Sequence, residues 1–214
     1  MIRKLALFAM FTSTTPAAVI LDRIAAIVGK HAIKLSDVDR DLRVTEFLNR
    51  ESLKLNSDAR RQAADRLIDQ VIIGDEIKGE GLARPSGSDA DALLNRLRQD
   101  RFAGSDSRLR QGLSAYGLTE EGLRAQLLWQ IEILRFIDQR FRPAVLVTDE
   151  EVRTYYEQHR GELARQYPLS PGREALEPKI RASLEGVRIN QNFVHWLDQA
   201  RKQNRIEYRQ GAFQ

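Results

Sequence analysis

Apolar residues recur along this chain in two rhythms. Around Gly29-Lys30 two β-branched runs, Ile24-Ala25-Ala26-Ile27-Val28 and His31-Ala32-Ile33, sit on either side of a residue pair suited to a tight turn, the pattern of a hairpin or strand pair. Beyond Ser36 the spacing changes to three and four. Ala63, Ala64, Leu67, Ile68, Val71 and Ile72 predict a helix with one apolar stripe that packs on one side. The helix predicted from Thr119 to Phe141 differs, because Leu123, Leu127, Ile131, Leu134 and Ile137 form one stripe and Trp129, Ile133 and Phe136 lie beside it. So broad an apolar surface needs two packing partners, or one partner and a guest. A closing helix from Leu176 to Asn204 places Leu176, Ile180, Leu184, Val187, Val194 and Leu197 in a stripe, and Arg205-Ile206-Glu207-Tyr208 after it reads as a short strand able to pair with Arg23 to Val28.

Polar punctuation sets the number of helices. Ser36, Ser57, Ser88, Ser105, Thr119 and Thr148 each stand where a side-chain oxygen can cap a helix start, with acidic residues close behind, and they predict six helices before the closing one. Ser88 with Asp91 and Thr148 with Glu151 have the spacing of a reciprocal cap. Pro143 ends the helix that precedes it, since proline lacks an amide donor and biases its predecessor away from helical geometry. The fold class expected is mostly α, a multi-helix module with a small β element pairing N- and C-terminal strands.

The first 18 residues depart from this pattern. Met1-Ile2-Arg3-Lys4 is a basic start, Leu5 to Phe11 is apolar, and Thr12 to Ala18 is polar and ends in small residues, which together predict a secretory signal cleaved near Ala17 or Ala18. The apolar run falls well short of the roughly 20 residues a membrane-spanning helix needs. With zero cysteines, disulfides and thiol chemistry are excluded, and the fold rests on its core. Of 34 basic residues Arg3 and Lys4 belong to the leader, leaving 32 against 30 acidic ones, too balanced a charge to point to nucleic acid.

Motifs with chemistry in them are incomplete. Asp37, Asp39 and Asp41 imitate the first ligands of a calcium loop, but Leu42 stands where glycine is needed and Leu48 where the closing glutamate belongs. Gly117 and Gly122 have the outer spacing of a phosphate loop, yet Leu123 and Arg124 replace the required lysine and hydroxyl residue. His31, His159 and His195 lie apart with no second ligand type at helical spacing. No serine sits in a nucleophile elbow, and the arginine-rich stretch Arg96, Arg98, Arg101, Arg108 and Arg110 is interrupted by Asp100 and Asp106 and reads as a solvated helix face. No cofactor, metal or catalytic residue is expected.

Several segments in order resemble a known family. Asp22 to Val28, Ile33 to Asp39, Arg66 to Ile72 and Gly117 to Arg124 are similar to the N-terminal module of SurA-type periplasmic chaperones. Val147 to Tyr156 resembles that family's bridge into its parvulin-type prolyl isomerase domain, and Phe193 to Tyr208 its returning C-terminal helix and strand. The resemblance implies a helical module that holds unfolded polypeptides, chiefly outer-membrane proteins, without nucleotide. The interval Gln158 to Ala175 is too short for a catalytic domain of roughly 90 residues, which is itself near the lower end of domain size. Isomerase residues therefore have no counterpart here, and no enzymatic activity is expected.

The organisation that follows is a signal over 1–18, a SurA-like helical module over 19–156, a short linker over 157–175 in place of the parvulin domain, and a C-terminal helix and strand over 176–214 that pack back on the module. Periplasmic localisation goes with the signal, and the expected partners are unfolded polypeptides, with no nucleic acid and no membrane span after cleavage. Trp129, Ile133, Phe136 and Phe141 are the candidate apolar surface for such clients. Two alternatives remain open on the sequence: a helical assembly factor for one folded envelope partner, and a residual prolyl isomerase.

Overall fold

A computed structural model describes residues 22–81, 84–168, 172–209 and 211–213; the expected leader lies outside them. Strands β1 (Ile24–Val28) and β2 (His31–Lys34) form the hairpin predicted around Gly29-Lys30. Gly29 takes a φ of 55°, the left-handed conformation that a two-residue hairpin turn requires and that glycine adopts without steric cost. The third strand, β3 (Ile206–Tyr208), lies antiparallel on the other side of β1 with Ile27 opposite Glu207, giving the order β2-β1-β3. The chain ends thus meet in one sheet, as the alternating Ile206 and Tyr208 predict.

Among the described residues, seven α-helices follow the hairpin and precede β3: α1 (Leu35–Asn49), α2 (Ser57–Glu80), α3 (Gly87–Phe102), α4 (Asp106–Ala115), α5 (Glu120–Phe141), α6 (Asp149–Gln166) and α7 (Arg173–Gln203), with a 3-10 turn at Arg142–Ala144 where Pro143 stops α5. Three of the expected caps form: Ser105, Thr119 and Thr148 each accept from an amide in the first turn, and Glu151 returns a carboxylate to the Thr148 amide at 2.9 Å. The other three shift. At α2 Asn56, not Ser57, accepts from the Ala59 amide. At α3 the reciprocal pair is Ser86 with Asp89 rather than Ser88 with Asp91, because Asp91 is drawn into an ion pair with Arg124 at 2.5 Å. At α1 the cap is Lys34, whose amide donates to Asp37, while the Ser36 hydroxyl donates to Asp22 outside the sheet.

Packing divides among four apolar clusters. The sheet, the N-terminal halves of α1 and α2, and the end of α7 enclose Ala25, Val28, Val38, Leu42, Ala64 and Ile68. The C-terminal half of α1 joins α3, α4 and the first half of α5 around Val44, Phe47, Leu109 and Leu123. The second half of α5 meets α2 and α7 around Ile73, Ile77, Phe136 and Ile189. Helices α6 and α7 share Val147, Val152, Leu163, Leu176 and Ile180. The breadth of the α5 apolar surface is thereby explained by two sets of partners, one for each half.

Two expectations change. The 157–175 interval is not a linker, for α6 continues through it to Gln166, bending at His159 (φ −114°, ψ 16°), and pairs with α7 as a helical hairpin. Apolar Leu163 within that interval supplies the buried contact that keeps it helical. In the stripes, Leu134 on α5 and Val187 and Val194 on α7 are exposed, and Ile189 takes the buried place between them. A helix that touches different neighbours along its length turns a different face inward at each, so a single stripe drawn through it fails at the changeover.

Candidate functional site: an apolar cleft between α2 and α5

The hairpin, α1 and α2 form one wall of an open cleft and the middle of α5 forms the other. Two adjoining cavities make it up, of about 370 Å3 and about 270 Å3, which share Gln70, Val71 and Trp129. Ala32, Ile33, Val44 and Leu67 line the larger; Gly74 and Ile77 extend the smaller. Sequence places Trp129 here through the same broad surface that gave α5 two sets of partners. Where the helix passes from the α3–α4 side to the α7 side, Trp129 faces α2. Gly74 allows the approach from α2: a Cβ at that position would lie 3.3 Å from the indole ring. The Trp129 Nε1–H is buried and meets no acceptor among the described residues.

Of the residues expected to form a client surface, Trp129 lines the cleft and is partly buried. Ile133, also partly buried, packs against the α2–α5–α7 cluster. Phe136 is fully buried and Phe141 nearly so, at 0% and 8% exposure, in an aromatic group with Phe193 and Trp196. Both are core, correcting the expectation that they face a guest. The aromatic spacing that suggested a ligand surface is instead how α5 grips α7. Sequence reasoning missed Ile33, Val44, Leu67, Gln70, Val71 and Gln126, which belong to four separate elements and carry no common local signal.

Charge around the cleft is internally matched. Asp37 pairs with Arg40 at 3.2 Å and Asp75 with His31 at 2.9 Å and Lys78 at 3.4 Å, while Arg84 faces Glu132 at 3.9 Å. Asp41 is the buried member: the Arg66 Nε and Nη2 both donate to its Oδ2, at 2.9 and 2.6 Å. Burial pushes the Asp41 carboxyl above its usual range, and the Arg66 charge only partly opposes this. No trio of histidine, aspartate or glutamate side chains suited to a metal occurs among the described residues. The three histidines stay apart, His31 on the cleft rim and His159 stacked on Tyr155 in α6.

What this arrangement can do chemically is bury apolar surface. Each Å2 of apolar area that a guest removes from water is worth about 25 cal/mol, with little demand on sequence. Both cavities open to solvent, and Trp129 lines both. Among the described residues no helix is long and apolar enough to cross a membrane. Compared with protein-family models and with curated proteins, the chain matches none.

Proposed function

We propose that this protein is an ATP-independent chaperone of SurA type that holds unfolded polypeptides in the periplasm, outer-membrane proteins among them, and has no prolyl isomerase activity. The observation that carries this reading is the open apolar cleft between α2 and α5, built by a module whose two chain ends close in one sheet. An unfolded chain offers short apolar stretches, and a cleft that binds by apolar burial takes them without reading a particular sequence. The resemblance of Asp22 to Val28, Arg66 to Ile72 and Phe193 to Tyr208 to the SurA N-terminal and C-terminal segments supports the same class. The test is suppression of aggregation of a urea-unfolded outer-membrane protein diluted into buffer without ATP. Suppression at near-equimolar chaperone supports the reading; no suppression and no client binding end it. A protease-coupled proline-peptide assay run in parallel is expected to stay at the buffer rate.

A second reading has its own observation. Leu134 on α5, Leu146 between the 3-10 turn and α6, and Val187 and Val194 on α7 are 66%, 77%, 52% and 53% exposed, and none of them lines the cleft. An assembly factor for one folded envelope partner would use such residues. Recovery of one folded protein at fixed stoichiometry, lost in a Leu134→Ser, Val194→Ser variant, would favour it.

A further inference from the structure

The cleft walls are not wholly apolar: Gln70 from α2 and Gln126 from α5 line the larger cavity from opposite sides. Gln70 lies beside the buried Asp41 carboxyl and acts against the upward push of burial on it, and its side-chain amide carries both a donor and an acceptor. Gln126 makes no side-chain hydrogen bond to the described residues, so its donor and acceptor both remain for a guest. Facing amides of this kind complement a peptide group, which also carries one donor and one acceptor. The cleft charges exclude the competing apolar guests that bear a charged head. Each cleft carboxylate is matched by a cation of the protein, and no surplus positive charge remains for a fatty acid or a phosphate.

We propose that Gln70 and Gln126 hold the main chain of an extended polypeptide segment lying in the cleft, while Trp129, Leu67 and Val71 bury its side chains. This rests on the chaperone reading and adds to it how the cleft tells a polypeptide from any other apolar chain. A peptide group left inside an apolar cleft without partners is costly, and the two glutamines remove that cost for every residue type alike. Recognition is then general across sequences yet confined to polypeptide.

The experiment uses the mature protein and a neutral, unfolded 15-residue peptide rich in Leu and Val, together with the same peptide N-methylated at alternate residues. N-phenyl-1-naphthylamine serves as an uncharged apolar probe without peptide groups. Gln126→Leu, which keeps the volume and removes the amide, is expected to weaken the peptide about fivefold, the loss of one or two net hydrogen bonds. It should leave the naphthylamine unchanged or tighter. The N-methylated peptide should bind more weakly than its parent and be insensitive to Gln126→Leu. Gln130→Leu, on the exposed side of α5, controls for added surface apolarity, and equal melting temperatures control for folding. If the parent peptide binds the native protein but neither Gln126→Leu nor N-methylation weakens it, main-chain recognition is wrong and the chaperone reading stands. If naphthylamine binding falls in parallel with peptide binding, Gln126 shapes the cavity rather than reading amides, and the proposal fails. If the native protein binds no peptide at all, the chaperone reading falls with it.

Discussion

The Trp196 ring stands edge-on to Phe136, with centroids 5.4 Å apart and planes at 60°. Through this pair the last long helix is fixed to the second half of α5, and Phe141 and Phe193 extend the same aromatic group. Phe136 is completely buried. Phe136→Ala should cost about 3–5 kcal/mol, the range for removing a buried aromatic side chain. Val194→Ala, on the same α7 but exposed, should stay within about 0.5 kcal/mol. Urea unfolding followed by tryptophan fluorescence checks both, and equal costs at the two positions would contradict this packing.

Removal of the C-terminal strand is expected to destabilise the whole module. Arg201 bridges from α7 to Asp65 and Asp69 on α2, the Tyr208 hydroxyl donates to Asp65, and Arg61 lies 3.4 Å over the Tyr208 ring. A chain ending at Asn204 loses Tyr208 and bares the β1 edge, whose amides β3 had satisfied. Its melting temperature should fall by several degrees, since about 1 kcal/mol moves a domain of this size by about 2–4 °C. A truncated protein as stable as the full chain would show that β3 is an appendage.

Acid should loosen the root of the α6–α7 hairpin. Arg188 donates to Glu151, and the Thr148 amide adds a second hydrogen bond, which together lower the Glu151 carboxyl from its usual 4.5 to about 2. A folded value below the unfolded one means that the stabilisation is complete above about pH 4.5 and is lost as the pH falls towards 2. Glu151→Gln should therefore be less stable than the native protein at pH 7, with the difference closing by about pH 2. Melting temperatures of the two proteins across that window test it, and a constant difference would show that the Glu151 charge is not what holds the hairpin root.

At the cleft, Asp41 has the opposite sign. Its carboxyl is raised by burial, so ionised Asp41 opposes folding and depends on Arg66 for compensation. Arg66→Met should cost on the order of 3–5 kcal/mol near neutral pH, because a buried charge is left without its partner. The loss should shrink as the pH falls and Asp41 takes up a proton in the folded state before it does in the unfolded chain. Asp41→Leu with Arg66→Met should recover much of the stability at pH 7, and a double variant no better than Arg66→Met would overturn the assignment.

Helix number, the hairpin at Gly29-Lys30 and the Ile206 to Tyr208 strand were legible in the sequence, because each depends on neighbours within a few residues: turn geometry, capping oxygens, a period of two or of three to four. The pairing of that strand with β1, at the other end of the chain, followed instead from the need of its backbone for a partner edge. Caps were legible only where one acceptor competed. Ser88 lost to Ser86 because Asp91 had a stronger partner in Arg124, a residue 33 positions away that no local pattern contains. The mostly α class and the two-sided demand of α5 were likewise written in the chain.

Which side of α5 meets which partner was decided only by the tertiary structure. Phe136, Phe141 and Trp129 share one apolar surface by spacing, yet Phe136 and Phe141 are sealed by α7 while Trp129 lines a cleft floored by Gly74 and Val71 of α2. Local rules give the period of a helix and the width of its apolar face, since these follow from the backbone repeat. They cannot give the crossing of one helix over another, which depends on the summed shapes of side chains far apart in sequence, and the cleft is the space those crossings leave unfilled.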